Sequence, residues 1–150
     1  MTIIYPGRCL CGAVRFEAMP PTLFFAHCHC QWCREAHGAA YVSWVGIAAD
    51  RFRLVAGEGE LRWYQSSPQS RRGFCSRCGT TLLFASTLCP GEMHVTRPSL
   101  HADIDRGPQL HCFYDQHVDW AEPGDALPRY GSDSPGLDKY RVVPTRDQSP

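Results

Sequence analysis

The sequence has no excess of charge of either sign and almost no lysine. Its 150 residues contain 15 Lys and Arg against 15 Asp and Glu, and Lys139 is the only lysine. Proteins that bind nucleic acid non-specifically depend on surplus positive charge to neutralise phosphates. We therefore expect no nucleic-acid partner.

Long apolar runs are also missing. No stretch approaches the roughly 20 apolar residues that a membrane-spanning helix needs. Residues 1–6 lack the basic and apolar regions of a secretory signal peptide. We therefore expect a cytoplasmic protein that does not contact a membrane. In that reducing compartment, nine cysteines are more often metal ligands or reactive thiols than disulfides, and the odd number points the same way.

Short stretches of alternating apolar and polar residues, separated by turn formers, dominate the chain and predict a mainly β fold. Residues 52–55 and 61–64 flank a Gly57-Glu58-Gly59 turn and predict a hairpin. One short helix is expected at residues 31–37. Further strands are expected at residues 13–18, 40–45, 80–85, 92–96 and 110–114.

The length of the chain suits a single domain with a core of its own. After about Trp120 the composition shifts toward glycine, proline, serine and acidic residues, which favour turns over packed elements. We predict a zinc-binding β domain over residues 1–130 and an extended C-terminal tail over residues 131–150. The sequence makes no prediction of oligomeric state.

Two cysteine pairs, far apart in the chain, have the spacing of a structural zinc site. Cys9 and Cys11 form a Cys-x-Cys pair, while Cys75 and Cys78 form a Cys-x-x-Cys pair followed by Gly79. Together they supply the four thiolates of a closed tetrahedral site, which would stabilise a fold of short strands. The alternative is two independent pairs, either buried as thiols or bonded as disulfides.

A second cysteine group is incomplete. Cys28, Cys30 and Cys33 can hold one metal ion but leave its fourth position to another ligand. An open position is typical of catalytic zinc, whereas a closed one would make this a second structural site. The residues that could close it are His27, His29, His37 or one of the remaining cysteines, although Cys89 and Cys112 are more simply explained as core residues.

These motifs resemble the glutathione-dependent formaldehyde-activating enzyme family, which includes the centromere protein V type. The resemblance covers about residues 5–130. It is carried by Gly7-x-Cys9-x-Cys11-Gly12, by Cys28-x-Cys30-x-x-Cys33-Arg34 and by Phe74-Cys75-x-x-Cys78-Gly79-Thr80.

The resemblance implies a β-tent fold, related to zinc ribbons, in which short antiparallel sheets surround the four-cysteine zinc. It also implies a second, exposed and labile zinc on Cys28, Cys30 and Cys33, where the thiol of glutathione would enter. The implied activity is that of a carbon–sulfur lyase that joins glutathione to a small aldehyde such as formaldehyde, or runs the reverse reaction.

Three functions therefore remain open from the sequence. The first is this zinc-dependent lyase, with glutathione or a glutathione adduct as substrate, a nearby histidine as proton shuttle, and Arg34, Arg71 or Arg72 as partners for the glutathione carboxylates. The second is a non-catalytic zinc-binding module, since a fold does not fix a function. The third is a thiol-redox or metal-responsive protein.

Overall fold

Strands make up most of the regular structure in residues 1–141, the part of the chain that the computed structural model describes. The mainly β class expected from the sequence is confirmed. The strands, in chain order, are β1 (Tyr5–Arg8), β2 (Arg15–Ala18), β3 (Phe24–Cys28), β4 (Val42–Ala48), β5 (Phe52–Ala56), β6 (Leu61–Gln65), β7 (Ser70–Cys75), β8 (Thr81–Ser86), β9 (Glu92–Thr96), β10 (Leu110–Cys112) and β11 (Arg129–Tyr130).

The strands form two sheets of unequal size. The small sheet has three strands in the order β1-β2-β5, and the large sheet has eight in the order β11-β10-β3-β4-β9-β8-β7-β6. Neighbouring strands are antiparallel, except that β10 runs parallel to both β3 and β11. The parallel register of β10 with β3 sets Cys112 beside Cys28.

The large sheet is buried on both faces. Neighbouring residues of a strand point to opposite faces, and in β4 both Trp44 and Val45 are buried. Val45 belongs to a core shared with the small sheet, which contributes Phe16. Trp44 belongs to a second core on the opposite face, together with Cys28 and Phe84. The second core contains the candidate site.

The predicted hairpin between residues 52–55 and 61–64 is wrong. β5 pairs with β2 in the small sheet, whereas β6 pairs with β7 in the large one. The turn at Gly57, where φ is 81°, carries the chain from one sheet to the other. Leu54 and Trp63 then pack against the same core from the two sides. A pairing between the two strands would have put both side chains in one sheet and left that core open.

The expected short helix is confirmed as α1 (Gln31–His37). Its N-cap residue is Cys30, whose Sγ accepts the backbone N–H of Cys33 at 3.3 Å. It ends at Gly38, whose left-handed φ of 59° is disfavoured for residues that carry a Cβ. No helix within residues 1–141 is long and apolar enough to cross a membrane. The remaining helical turns are the 3-10 helices Ala49–Arg51, Arg97–Ser99, Tyr114–Gln116 and Pro135–Tyr140.

The C-terminal segment packs against the domain as far as it is described. Its composition predicts an extended tail, whereas Pro135–Tyr140 form a 3-10 helix with Leu137 buried in the second core. Lys139 Nζ lies 2.9 Å from the carboxylate of Glu92 in β9. This packing depends on one leucine and one ion pair, and the composition of a segment rich in turn formers does not predict it. Residues 142–150 of the predicted tail lie outside the described residues, and where the domain ends stays a prediction.

Candidate active site

The first cysteine group forms where the two sheets meet. Cys9 and Cys11 lie in the loop between β1 and β2, while Cys75 ends β7 and Cys78 lies in the turn before β8. Sγ of Cys11 is 3.7 Å from Sγ of Cys9 and 3.8 Å from Sγ of Cys75. All of these thiols lie within 4.8 Å of one another and none is in a disulfide, so the pairs form one group.

This group fits a metal ion. Tetrahedral zinc with Zn–S bonds of about 2.3 Å places its sulfur atoms about 3.8 Å apart, which matches both distances. The backbone N–H of Val14 donates to Sγ of Cys9 at 3.3 Å, and the hydroxyl of Thr80 lies 3.2 Å from Sγ of Cys78. The Thr80 hydrogen bond lowers the pKa of Cys78 to about 5. The surroundings of Cys78 therefore favour its thiolate, the form that binds a metal. In Cys11, by contrast, a backbone hydrogen bond that lowers the pKa is outweighed by hydrogen bonds with the neighbouring thiols, which raise the pKa to about 11.

The second cysteine group forms at the start of α1. Cys28 ends β3, Cys30 caps the helix and Cys33 lies in its first turn, which brings the three Sγ atoms within 4.8 Å of one another. The expected exposure is wrong, because these residues are only 6%, 8% and 5% exposed. Phe113 and Leu137 pack over them as part of the second core. This group too fits a metal ion, with three of four tetrahedral positions supplied.

A buried arginine faces the second group. Arg72 of β7 is 4% exposed, and its Nη1 and Nη2 atoms each lie 3.7 Å from Sγ of Cys33. Hydrogen bonds from Cys28 and Cys30, together with the positive charge of Arg72, hold the pKa of Cys33 well below its usual range. The group is therefore built around a thiolate at Cys33.

The other two thiols of the group are biased toward their protonated forms. The pKa of Cys28 is raised well above its usual range by hydrogen bonding with Cys112 first, then with Cys30 and Cys33. The pKa of Cys30 is also raised, because the neighbouring Cys33 thiolate and burial outweigh a lowering hydrogen bond from Cys28. Without a metal, the negative charge of the Cys33 thiolate is therefore offset by the positive charge of the Arg72 guanidinium.

The three candidate histidines turn away from the thiols. His27 Nδ1 lies 2.8 Å from the hydroxyl of Ser43, and His29 Nε2 lies 2.8 Å from Nδ1 of His111. The ring of His37 packs edge-on against Trp44. Among residues 1–141, the ligand atoms that lie within 4.8 Å of all three thiols include no histidine nitrogen.

These histidines are also poor proton donors at neutral pH. Burial lowers the pKa of His29 and of His37 to about 4, so both rings are neutral near pH 7. Burial also lowers the pKa of His27. The geometry gives no support to a histidine as the ligand that closes the second group or as its proton shuttle.

The three thiols open onto a cavity of about 390 Å³. Its lining includes a polar cluster in which Glu92 contacts Lys139, Tyr140 and His94. Most of the remaining lining is apolar and comes from Phe24, Trp44, Phe84, Leu110, Phe113 and Leu137. This cavity is the candidate substrate site, because it is the one onto which the second group opens.

A second cavity, of about 460 Å³, lies beside the four-cysteine group. Its lining includes Arg8, Cys9, His37 and His101 but none of the three thiols of the second group. It is therefore separate from the candidate site.

Comparison with known proteins decides the family. The model of a family described as "Glutathione-dependent formaldehyde-activating enzyme" matches residues 4–116, which include both cysteine groups. The chain belongs to this family. A Halomonas elongata protein named "Putative glutathione-dependent formaldehyde-activating enzyme" is 30% identical over 129 residues, which cover 80% of this chain and 81% of the relative.

Two further proteins match this chain, one in sequence and one in structure. An uncharacterized lyase of Schizosaccharomyces pombe is 32% identical over 83 residues, which cover 55% of this chain and 58% of that protein. A crystal structure of a Rhodobacter sphaeroides protein has a TM-score of 0.55 at 23% identity and covers 83% of this chain and 98% of that one, a likeness that shows the fold alone. The resemblance inferred from the cysteine motifs is confirmed by the family model and by the two sequence relatives.

The sequence did not predict two features of this site, namely the contact of Arg72 with Cys33 and the cluster around Glu92. The sequence offers Arg72 only as a partner for the glutathione carboxylates, which stays a prediction, and the structure shows a contact with Cys33 that the sequence does not predict. Its neighbour Arg71 is exposed and lies over the ring of Trp63, 4.2 Å from its centre. Two arginines in succession on a strand must face opposite sides, so the pair carried a signal that one of them is buried. The Glu92 cluster carried no such signal, because its members are distant in the chain.

A third set of possible ligands lies beside the cavity, and two of its members, Glu92 and His94, are part of the lining. Cys89, Glu92 and His94 place ligand atoms within 4.8 Å of one another. The sequence favours Cys89 as a core residue over its use as a ligand. The Glu92 carboxylate already contacts the ammonium of Lys139. The positive charge beside these three residues is therefore that of Lys139.

Proposed function

We propose that the protein is a zinc-dependent carbon–sulfur lyase that acts on adducts of glutathione with aldehydes. The reaction is GS–CH(OH)R ⇌ GSH + RCHO, and it runs in either direction. One observation carries the proposal: Cys28, Cys30 and Cys33 converge beside Arg72 in the lining of a cavity, and among residues 1–141 no fourth ligand atom lies within 4.8 Å of all three thiols. The family's description and the lyase relative support the same class of reaction.

Two zinc sites belong to this proposal. Cys9, Cys11, Cys75 and Cys78 would hold a structural ion, and the three buried thiols would hold a catalytic one. When bound there, zinc supplies a Lewis acid that lowers the pKa of a substrate thiol and stabilises its thiolate. The distances within the first group and the incomplete donor set of the second support this assignment.

Arg72 has an electrostatic role in this proposal. Three thiolates against a divalent cation leave one net negative charge, which the buried guanidinium offsets. Both of its terminal nitrogens point at Cys33, so this thiolate is fixed in position. Arg72 is therefore a positioning residue for the cysteine group.

The second core keeps bulk water from the sulfur atoms. Phe84 and Phe113 are 8% and 7% exposed and line the cavity beside the thiols. Charges interact more strongly where water is excluded, which favours the sulfur anion that forms when the carbon–sulfur bond breaks.

The proposal also includes the fold family and the location of the protein in the cell. We place the β-tent architecture, related to zinc ribbons, around the four-cysteine group at the junction of the two sheets. A cytoplasmic location fits nine free thiols.

Isothermal titration of the zinc-loaded protein with glutathione tests the proposal. We expect glutathione to bind the wild type and to bind Cys30→Ser at least about tenfold more weakly. The matched control is Cys89→Ser, a buried cysteine outside both zinc groups, which should bind like the wild type. Absence of binding, or equal binding by Cys30→Ser, contradicts the lyase and favours a non-catalytic module.

X-ray absorption at the zinc edge provides a second measurement. The second ion should show three sulfurs and one exchangeable oxygen, and the oxygen should be replaced by sulfur when glutathione is added. Four protein ligands at both ions would contradict an open site. Loss of one zinc with disulfide formation under mild oxidant would favour the redox function instead.

A further inference from the structure

The cavity beside the three thiols is much larger than formaldehyde requires. Its volume is about 390 Å³. A water molecule, similar in size to formaldehyde, occupies about 30 Å³ in the liquid, and an engineered apolar cavity of about 150 Å³ binds benzene. The space next to the thiols therefore suits a carbon group larger than one aromatic ring.

The chemistry of the lining points the same way. Phe24, Trp44 and Phe84 contribute aromatic rings, and Leu110 and Leu137 contribute aliphatic side chains. Binding of an apolar group against such a lining is favourable, because it removes apolar surface from water. Aromatic rings also prefer defined arrangements with another aromatic ring.

The charged groups of the lining are already paired. Arg72 contacts the thiolate of Cys33, and Lys139 contacts the carboxylate of Glu92. Glutathione carries two carboxylates that need cations of their own, and a buried carboxylate without a partner is costly. The interior of this cavity therefore suits the aldehyde part of an adduct better than its peptide part.

The mouth of the cavity leaves a place for the peptide outside. Leu23, Gly136 and Lys139 are exposed residues of the lining and form its rim. An adduct can thus keep its sulfur at the thiols and its carbon substituent among the aromatic side chains, with its charged peptide toward solvent.

We propose that the substrate is a glutathione hemithioacetal of a bulky aromatic aldehyde, whose ring system occupies this cavity. The inference rests on the proposed lyase function and names its substrate class. In the cleavage direction the carbon–sulfur bond breaks and its electron pair leaves with sulfur. The hydroxyl proton is lost as the carbon–oxygen bond becomes a carbonyl, and the thiolate takes up one proton. No oxidant or reductant is involved.

Binding of unreactive thioether analogues tests this assignment without turnover. Isothermal titration of zinc-loaded protein compares S-(1-naphthylmethyl)glutathione, S-methylglutathione and glutathione. We expect the naphthylmethyl compound to bind at least about tenfold more tightly than the methyl compound, because it alone fills the apolar lining. Turnover should follow the same order, with the 1-naphthaldehyde adduct cleaved in preference to the formaldehyde adduct.

A variant that fills the cavity distinguishes binding of the naphthyl group inside the cavity from its non-specific binding to apolar surface elsewhere. Ala26 of β3 lines the cavity, and Ala26→Phe puts a ring into its empty space. The gain from the naphthyl group should disappear in this variant. Val55→Phe is the matched control, because it adds the same side chain at an exposed position of β5.

The outcomes distinguish the two proposals. Equal affinity of wild type for the methyl and naphthylmethyl compounds overturns the aromatic assignment but leaves the lyase standing. Binding of neither compound, nor of glutathione, overturns both. The comparison within the wild type remains decisive if Ala26→Phe does not fold.

Discussion

Nη1 and Nη2 of Arg72 each lie 3.7 Å from Sγ of Cys33, and both residues are buried. A guanidinium in this position stabilises a thiolate by charge and by two hydrogen bonds. The contact joins β7 to the first turn of α1, so the reactive end of the helix depends on a residue from another part of the sheet.

Replacement of Arg72 is expected to make Cys33 less reactive. In Arg72→Leu that keeps zinc in the four-cysteine group and has none in the second group, alkylation of Cys33 by iodoacetamide at pH 7 should slow by at least about tenfold, the effect of losing charge-assisted hydrogen bonds to the thiolate. Mass spectrometry of the modified peptide measures the rate. Arg71→Leu is the matched control, because Arg71 lies over Trp63 at the surface and should leave the rate unchanged. Equal slowing in both variants would show that Arg72 does not act on the thiolate.

Removal of one thiol from the four-cysteine group is expected to destabilise the whole fold. Cys78→Ser should lose one equivalent of zinc, and its thermal midpoint should fall by about 10 °C, since the ion joins Cys11 to Cys75 across 64 residues of sequence. Metal analysis and circular dichroism measure the two effects. Cys89→Ser should retain its zinc. A Cys78→Ser protein with full zinc content would contradict a structural ion in this group.

Glu92 is expected to stabilise the protein above its own pKa. Burial alone would raise the pKa of Glu92, but hydrogen bonds from His94 and Lys139 outweigh it and bring the pKa to about 2 from 4.5. The native state therefore favours the charged form. This contribution is fully present above about pH 4.5 and is lost as the pH falls toward 2.

Chemical denaturation from pH 7 downward checks this dependence. The wild type should be more stable than Glu92→Gln by on the order of 2 kcal/mol at pH 7, and the difference should shrink toward zero in acid. Loss of zinc at low pH affects both proteins and cancels in the comparison. Glu17→Gln, which breaks a surface pair with Arg53, should give a difference below about 1 kcal/mol. A difference that does not change with pH would exclude the Glu92 carboxylate as its source.

Truncation of the C-terminal segment is expected to uncover the second core. A chain that ends at Ser134 lacks the 3-10 helix Pro135–Tyr140, with its buried Leu137. Its thermal midpoint should fall by about 5 °C, and a dye that binds apolar surface should fluoresce more strongly. A chain that ends at Arg141 keeps this helix and is the matched control, so the two truncations are compared with each other. Identical behaviour of the two truncations would show that the segment does not cover the cavity.

Local patterns in the sequence predicted the features that depend on residues close together in the chain. The span of α1 was predicted correctly, because Gly38 ends the helix. The grouping of Cys9 with Cys75 followed from spacing, since a metal needs a fixed number of thiolates whatever the fold.

Pairing between distant segments could not be predicted in this way. Alternation located β5 and β6 but did not say which strand each would join, because the choice depends on which core each apolar face covers. The contact of Arg72 with Cys33 and the burial of Leu137 have the same origin. Each depends on the path of the chain through the sheet.

Strand β7 connects the two cysteine groups. Its last residue, Cys75, belongs to the four-cysteine group, while Arg72 on the same strand contacts the thiolate of the other group. Removal of the structural ion would release the end of β7 and disturb the partner of Cys33 in a single event. If the proposed assignment holds, we expect lyase activity in a cell short of zinc to fall in step with the occupancy of the four-cysteine group, whose ion takes no part in the chemistry.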